Sequence, residues 1–258
     1  MGGNAHVIEV TMLKGGVHKT TLSSNVSHGL AKLNHRTLLV DCDTQNQCGL
    51  FLGLETGKGL GELLMEGEQA NFRDFIYPAR KNLDLLPAGE NLALANRTIS
   101  LREVAPEQAL SEVLGPALEH YDYIILDSAP GWDSLAVNCL VFADELICPV
   151  IMEVPAISSL GRLQKRIKPV QKYRQQLRIS IIVPSGYVGR VPEQRRNLKD
   201  LREHFGDLVA APIRRRDKFA EAPAYGQTIF EYDTRNPQSR AARRDYWALI
   251  RRITGARS

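Results

Sequence analysis

No apolar run in this sequence approaches the roughly 20 residues needed to cross a bilayer. The N-terminal stretch MGGNAHVIEV lacks the charged and apolar regions of a secretory leader, so a cytoplasmic protein is expected. Cysteine is scarce, with four in 258 residues, and Cys42, Cys48, Cys139 and Cys148 include no C-x-x-C pair. Each lies in or beside an apolar segment, which argues for small core residues in a reducing compartment and against a metal or iron–sulfur site. Aromatic residues make up 7% and are not interleaved with the basic ones, so the stacking platform of a single-strand binder is missing. There is no internal repeat, low-complexity tract or linker. With 43% hydrophobic residues the chain can bury a sizeable core, and one domain over residues 1–258 is expected.

Charge is unevenly placed. Residues 190–258 carry 16 Lys and Arg against 9 Asp and Glu, whereas residues 1–189 carry 17 against 20. The basic C-terminal region is mostly arginine, which suits contact with phosphates. A solvated basic surface is the other reading.

What the chain does contain is alternation. HVIEVTML (6–13), RTLLVDCD (36–43), YDYIILDSAP (121–130), ELICPVI (145–151) and LRISIIVP (177–184) are apolar strands, of the kind buried on both faces of a parallel sheet. Helical periodicity is expected over 19–33, 106–120, 134–142, 156–173, 192–205 and 238–253. Residues 55–69 read as a glycine-punctuated loop with a short helix, or as a mobile flap. The order predicts an α/β fold, a mostly parallel twisted sheet with helices on both faces and ligands at the carboxyl ends of the strands.

The chemistry concentrates at three strand ends. LKGGVHKTT (13–21) runs from a strand through glycines into a helix, so backbone N–H groups and a helix N-terminus face an anion. Lys19 is placed to reach outer phosphates and Thr20 to offer a hydroxyl to Mg²⁺. Asp127 closes one strand, where an acid that supports a magnesium ion from behind its direct ligands belongs, and Asp43 closes another, where it can position water or support the metal. Either aspartate alone can instead cap the following helix.

KGGVHKTT resembles the deviant Walker A motif of the ParA/MinD family of ATPases, and DCDTQNQ and ILDSAP are similar to that family's two switch segments. The likeness continues through 140–160 and through FAEAPAYGQTIFEYD (219–233), which resembles ParA-type partition proteins more than MinD, and is weakest over about 55–105. It implies a P-loop NTPase fold, ATP and Mg²⁺ as cofactors, and a nucleotide site of Lys14, Gly15, Gly16, Val17, His18, Lys19, Thr20 and Thr21, with adenine contacts near Pro212 and Ile213. Lys14 matches the lysine that crosses a dimer interface to the partner's nucleotide, Asp43 the switch aspartate needed for hydrolysis, and Asp127 the Walker B acid; Thr20, Asp43 and Asp127 form the implied metal site. The resemblance further implies an ATP-sandwiched homodimer and a separate, cargo-bound activator protein. Nonspecific binding of double-stranded DNA is implied on the nucleoid, through Arg214, Arg215, Arg216, Lys218, Arg235, Arg240, Arg243 and Arg244.

Three positions depart from the pattern. Thr44 and Arg214 replace prolines, and His18 stands where the loop normally carries its last glycine. Histidine tolerates a left-handed backbone at a cost of about 1 kcal/mol, so the loop is expected to form with its imidazole turned away from the phosphates or touching them. Slow hydrolysis follows as an expectation, and with it a second function reading, a nucleotide-binding scaffold with impaired turnover. A third is a membrane-associated positioning ATPase of MinD type, because the last helix (238–253) is amphipathic; the same helix can instead pack on the sheet.

Overall fold

The computed structural model describes residues 5–152 and 156–255. Strands β1 (His6–Val10), β2 (Thr37–Cys42), β3 (Tyr77–Arg80), β4 (Leu83–Leu86), β5 (Tyr123–Ser128), β6 (Glu145–Ile151), β7 (Ile179–Tyr187) and β8 (Ile213–Arg214) form one eight-stranded sheet. Their spatial order is β3-β4-β2-β5-β1-β6-β7-β8, and only the β3–β4 hairpin is antiparallel. The helices are α1 (Lys19–Lys32), α2 (Gln47–Leu52), α3 (Leu60–Glu66), α4 (Leu92–Ser100), α5 (Ala109–Leu114), α6 (Ser134–Phe142), α7 (Ala156–Val170), α8 (Pro192–Phe205), α9 (Lys218–Ala224) and α10 (Pro237–Ile253).

The continuous apolar runs have a direct structural use. In β5, Ile124 and Leu126 enter a core shared with α3 through α8, while Ile125 enters a second core on the other side of the sheet with α1, α2 and α10. A strand with a helical layer on each face reads as a near-continuous apolar run, and the expected α/β fold with helices on both faces is what forms.

Local differences have local causes. The helix expected over 106–120 is broken into a 3₁₀ turn (Pro106–Gln108), α5 and a second 3₁₀ turn (Gly115–Glu119). Pro116 lacks the N–H that would continue the helix. The helix expected to reach Tyr173 ends at Val170, next to Pro169. β3, β4 and β8 went unread because they are two to four residues long and, in YPAR, carry no apolar run; Pro78 is tolerated there because β3 is an edge strand. In residues 55–69 the short helix is present as α3, anchored by buried Leu60, Leu63 and Leu64.

The apolar side of α10 is also accounted for. Tyr246, Leu249 and Ile250 are buried in the second core, and Phe230 packs against Tyr246 and Trp247. No helix among the described residues is long and apolar enough to cross a membrane.

Candidate functional site

The loop between β1 and α1 delivers the first group of side chains. Gly16 and His18 both adopt left-handed backbone, with φ of 71° and 69°. Lys14, Gly15 and Gly16 are exposed on its rim, Val17 is buried under it, and Thr21 lies in the first turn of α1 behind it. Lys19 is folded back into the loop, its Nζ donating to the Lys14 carbonyl at 3.4 Å. Burial lowers the Lys19 pKa, and the nearby carboxylates of Asp127 and Asp43 work in the opposite direction.

Asp127 is the centre of the site. Its Oδ2 accepts from the Thr20 hydroxyl at 2.7 Å, its Oδ1 from the Ser23 hydroxyl at 2.7 Å, and the Cys48 thiol lies 3.4 Å from Oδ2. Parallel pairing of β2 with β5 sets Asp41 directly opposite Asp127. Asp41 in turn accepts the backbone N–H groups of Asp43 (3.0 Å) and Cys48 (2.9 Å). Burial, and then the facing Asp127, push the Asp41 carboxyl up to about 7, and burial also raises Asp127. Two like carboxyls out of water disfavour double ionisation. A divalent cation beside them would offset that cost, and the oxygen donors of Thr20, Asp41 and Asp127 are the hard ligands Mg²⁺ prefers.

Sequence reading missed Asp41 and the placement of Cys48. Asp41, Cys48 and Asp127 present ligand atoms within 4.8 Å of one another. Asp43 sits differently: it is half-buried on the turn after β2, its carboxylate accepting the Gln45 N–H at 3.0 Å. The D-x-D spacing holds the only available signal, since residues two apart on a strand face the same side.

Beside the loop lies a cavity of about 630 Å³, of the size that takes a small ligand. Its walls include Gly16, His18, Thr21, Phe51, Met152, Ser185, Gly186, Arg215, Asp217, Phe219 and Tyr246. His18 points into this wall, its Nδ1 hydrogen-bonded to the Ser185 hydroxyl at 2.9 Å, so the loop is tied to the end of β7. The ring lies over Gly186, where a Cβ would come within 2.9 Å of His18 Cε1 at a φ of +65°. Gly186→Ala is therefore expected to destabilise the protein by about 1–2 kcal/mol, and by less in a His18→Gly background. Thermal melts of the two single variants and the double variant measure that coupling; strict additivity would show that the ring and Gly186 are independent.

The residues expected near the adenine, Pro212 and Ile213, lie next to the cavity wall in sequence but do not line the cavity. Ile213 is buried in β8 within the second core and Pro212 is half-buried, whereas the cavity wall is supplied by residues 215–220. The basic residues divide as well. Arg216 pairs with Asp245 at 2.5 Å, both about a tenth exposed, and Arg214 reaches the same carboxylate at 3.4 Å. Lys218 pairs with Glu221 at 2.7 Å, and Arg243 donates to the Thr234 carbonyl at 2.6 Å. Arg215, Arg235, Arg240 and Arg244 are not buried and make no ion pair with the described residues.

Residues 5–179 match a family model described as an AAA domain. The chain is 33% identical over 245 residues to the chromosome-partitioning ATPase Soj of Thermus thermophilus, covering 94% of each chain. It is 31% identical over 260 residues to the chromosome partitioning protein ParA of Caulobacter vibrioides, covering 96% of this chain and 93% of the relative. Among solved structures, the ATP complex of a single-site variant of Cyanothece McdA superposes with a TM-score of 0.86 at 20% identity, over 100% of this chain and 99% of the other. Cobyrinic acid a,c-diamide synthase of Mycobacterium smegmatis, with bound ADP and magnesium, gives 0.79 at 26% identity over 98% and 97%. With the glycine loop, the Thr20–Asp127 contact and the sheet order in place, this chain belongs to the ParA/MinD-type family of P-loop ATPases.

Proposed function

We propose that this protein is an ATP-dependent dimerising switch that binds duplex DNA without sequence preference and partitions or positions a cargo on the nucleoid. The observation that carries the reading is the Thr20–Asp127–Ser23 array at the floor of the glycine loop, next to a cavity of nucleoside size. The names of its partitioning relatives support the biological role.

In this reading the loop N–H groups and Lys19 hold the phosphates, and Thr20, fixed by Asp127, holds Mg²⁺ with Asp41 behind it. A magnesium ion held there by the Thr20 hydroxyl, with Asp127 and Asp41 behind it, would supply positive charge to offset the charge that develops in phosphoryl transfer. Asp43, held on its turn by the Gln45 N–H, positions the attacking water. Lys14, exposed on the rim, is free to reach the nucleotide of a second copy, where it adds a cation at the transferring phosphate. A separate cargo-bound protein stimulates turnover.

A second reading, a nucleotide-binding scaffold that does not turn ATP over, is motivated by His18. Against it, the loop backbone accepts histidine in a left-handed conformation and its ring is held by Ser185 rather than aimed at Lys19. The deciding experiment follows oligomeric state by light scattering and ATP turnover with Mg²⁺, with and without duplex DNA, beside His18→Gly. Dimerisation and turnover by the parent establish the switch. Dimerisation without turnover in the parent, restored in His18→Gly, establishes the scaffold. Absence of ATP-dependent dimers in both defeats the proposal.

A further inference from the structure

We propose that the outer face of α7, continued onto α8, docks the phosphate backbone of duplex DNA. Residues 156–189 contain seven Lys and Arg and no Asp or Glu. Arg162, Lys165 and Arg166, at i, i+3 and i+4, share one side of α7 and line a groove of about 650 Å³ that also touches Leu13, Lys14 and Ser159. Lys168 and Lys172 are exposed farther along, and none of these five cations forms an ion pair with the described residues. On α8, which packs into the same core, Arg195, Arg196, Lys199 and Arg202 lie outside the core; the same helix carries the exposed acids Glu193, Asp200 and Glu203, of which Glu203 pairs with Lys199 at 3.6 Å.

The chemistry of the face selects the partner. The large apolar residues of α7 are buried (Leu160, Leu163, Ile167 and Val170) or half-buried (Ile157), with Tyr173 exposed just beyond the helix end, so α7 itself has no broad apolar face to insert into a lipid surface. What remains is a row of flexible cations. From Arg162 to Lys168 the helix rises about 9 Å, which spans roughly three phosphates at about 3.4 Å per charge on one DNA strand. Arg166 also lies over the Trp132 ring at 5.2 Å, and Trp132 belongs to the loop between Asp127 and the N-cap Asp133. The face is thereby joined to the loop that leaves the nucleotide site.

This inference rests on the DNA-binding reading above and changes where the duplex lies, because α10, with Arg240 and Arg244, packs on the opposite side of the sheet. The test is fluorescence anisotropy with a short labelled duplex in ATP and Mg²⁺, with a fluorescent ATP analogue titrated in parallel. Parent, R162E/K165E/R166E and R240E/R244E are compared over a salt series, and R162Q/K165Q/R166Q guards against misfolding by charge reversal. The α7 triple variants are expected to lose about tenfold or more in duplex affinity and to shallow the log–log salt slope by about 2–3, with analogue affinity unchanged. Parental duplex affinity in both α7 variants, or parental binding to phosphatidylglycerol vesicles in place of duplex, overturns the inference. Loss confined to R240E/R244E, with the analogue still bound, defeats this inference alone, whereas failure of the parent to bind the analogue defeats the nucleotide-switch reading itself.

Discussion

Asp127→Asn is expected to lower ATP turnover by about 100-fold or more with the fold intact. The Thr20 and Ser23 hydroxyls donate to different oxygens of the carboxylate, each at 2.7 Å, so the amide keeps an acceptor for one of them and sets its NH2 against the oxygen of the other. It removes the negative charge that fixes the metal-binding hydroxyl and faces Asp41 across the β2–β5 register. Stability should change little or rise, because one of two buried, mutually repelling carboxyls is gone. Asp41, held up to about 7 partly by Asp127, should move back toward the ordinary carboxylate range. Steady-state turnover and a thermal melt separate the two effects. Unchanged turnover would remove Asp127 from the chemistry, and a collapsed melt would make its role structural.

Glu9→Gln should stabilise the protein markedly at neutral and alkaline pH. Glu9 is buried within β1; its Oε1 accepts from the Ser128 hydroxyl at 2.5 Å, and its Oε2 has no hydrogen-bond partner among the described residues. Burial raises its pKa from 4.5 to about 7. Between those values the folded protein holds a proton that the unfolded chain releases, so stability falls as pH rises through this window and the full penalty applies above it. The shift corresponds to a ceiling on the order of 3 kcal/mol, or a rise in Tm of roughly 5–10 °C for Glu9→Gln near pH 8. Below about pH 4.5 the two proteins should melt together. A gain that is equal at pH 4 and pH 8 would show that packing, not ionisation, is responsible.

Much of the fold was legible because its signals are local. β6, α6 and α8 begin and end where the sequence places them, and an apolar strand running into glycines and Lys-Thr can do little but build an anion-binding turn. The edge hairpin and β8 were not legible, since a strand of two to four residues gains its stability from neighbours rather than from its own pattern. The basic C-terminal region read as one patch because counting charge along the chain ignores layers. In the structure its cations divide between the α8 and α10 sides of the sheet, and several are held by Asp245 and Glu221.

By itself, then, the sequence determined the glycine loop, Lys19 and Thr20 at the head of a helix, Asp127 and Asp43 at strand ends, and a sheet enclosed by helices. Spacing within a few residues is enough for each of these. Only the tertiary structure decided that Asp41 faces Asp127, that His18 turns to Ser185 over Gly186, and that the acid-free cations of α7 form a face of their own. Those outcomes depend on register between strands distant in sequence and on which side of the sheet each helix crosses, and both are fixed by burial summed over the whole fold.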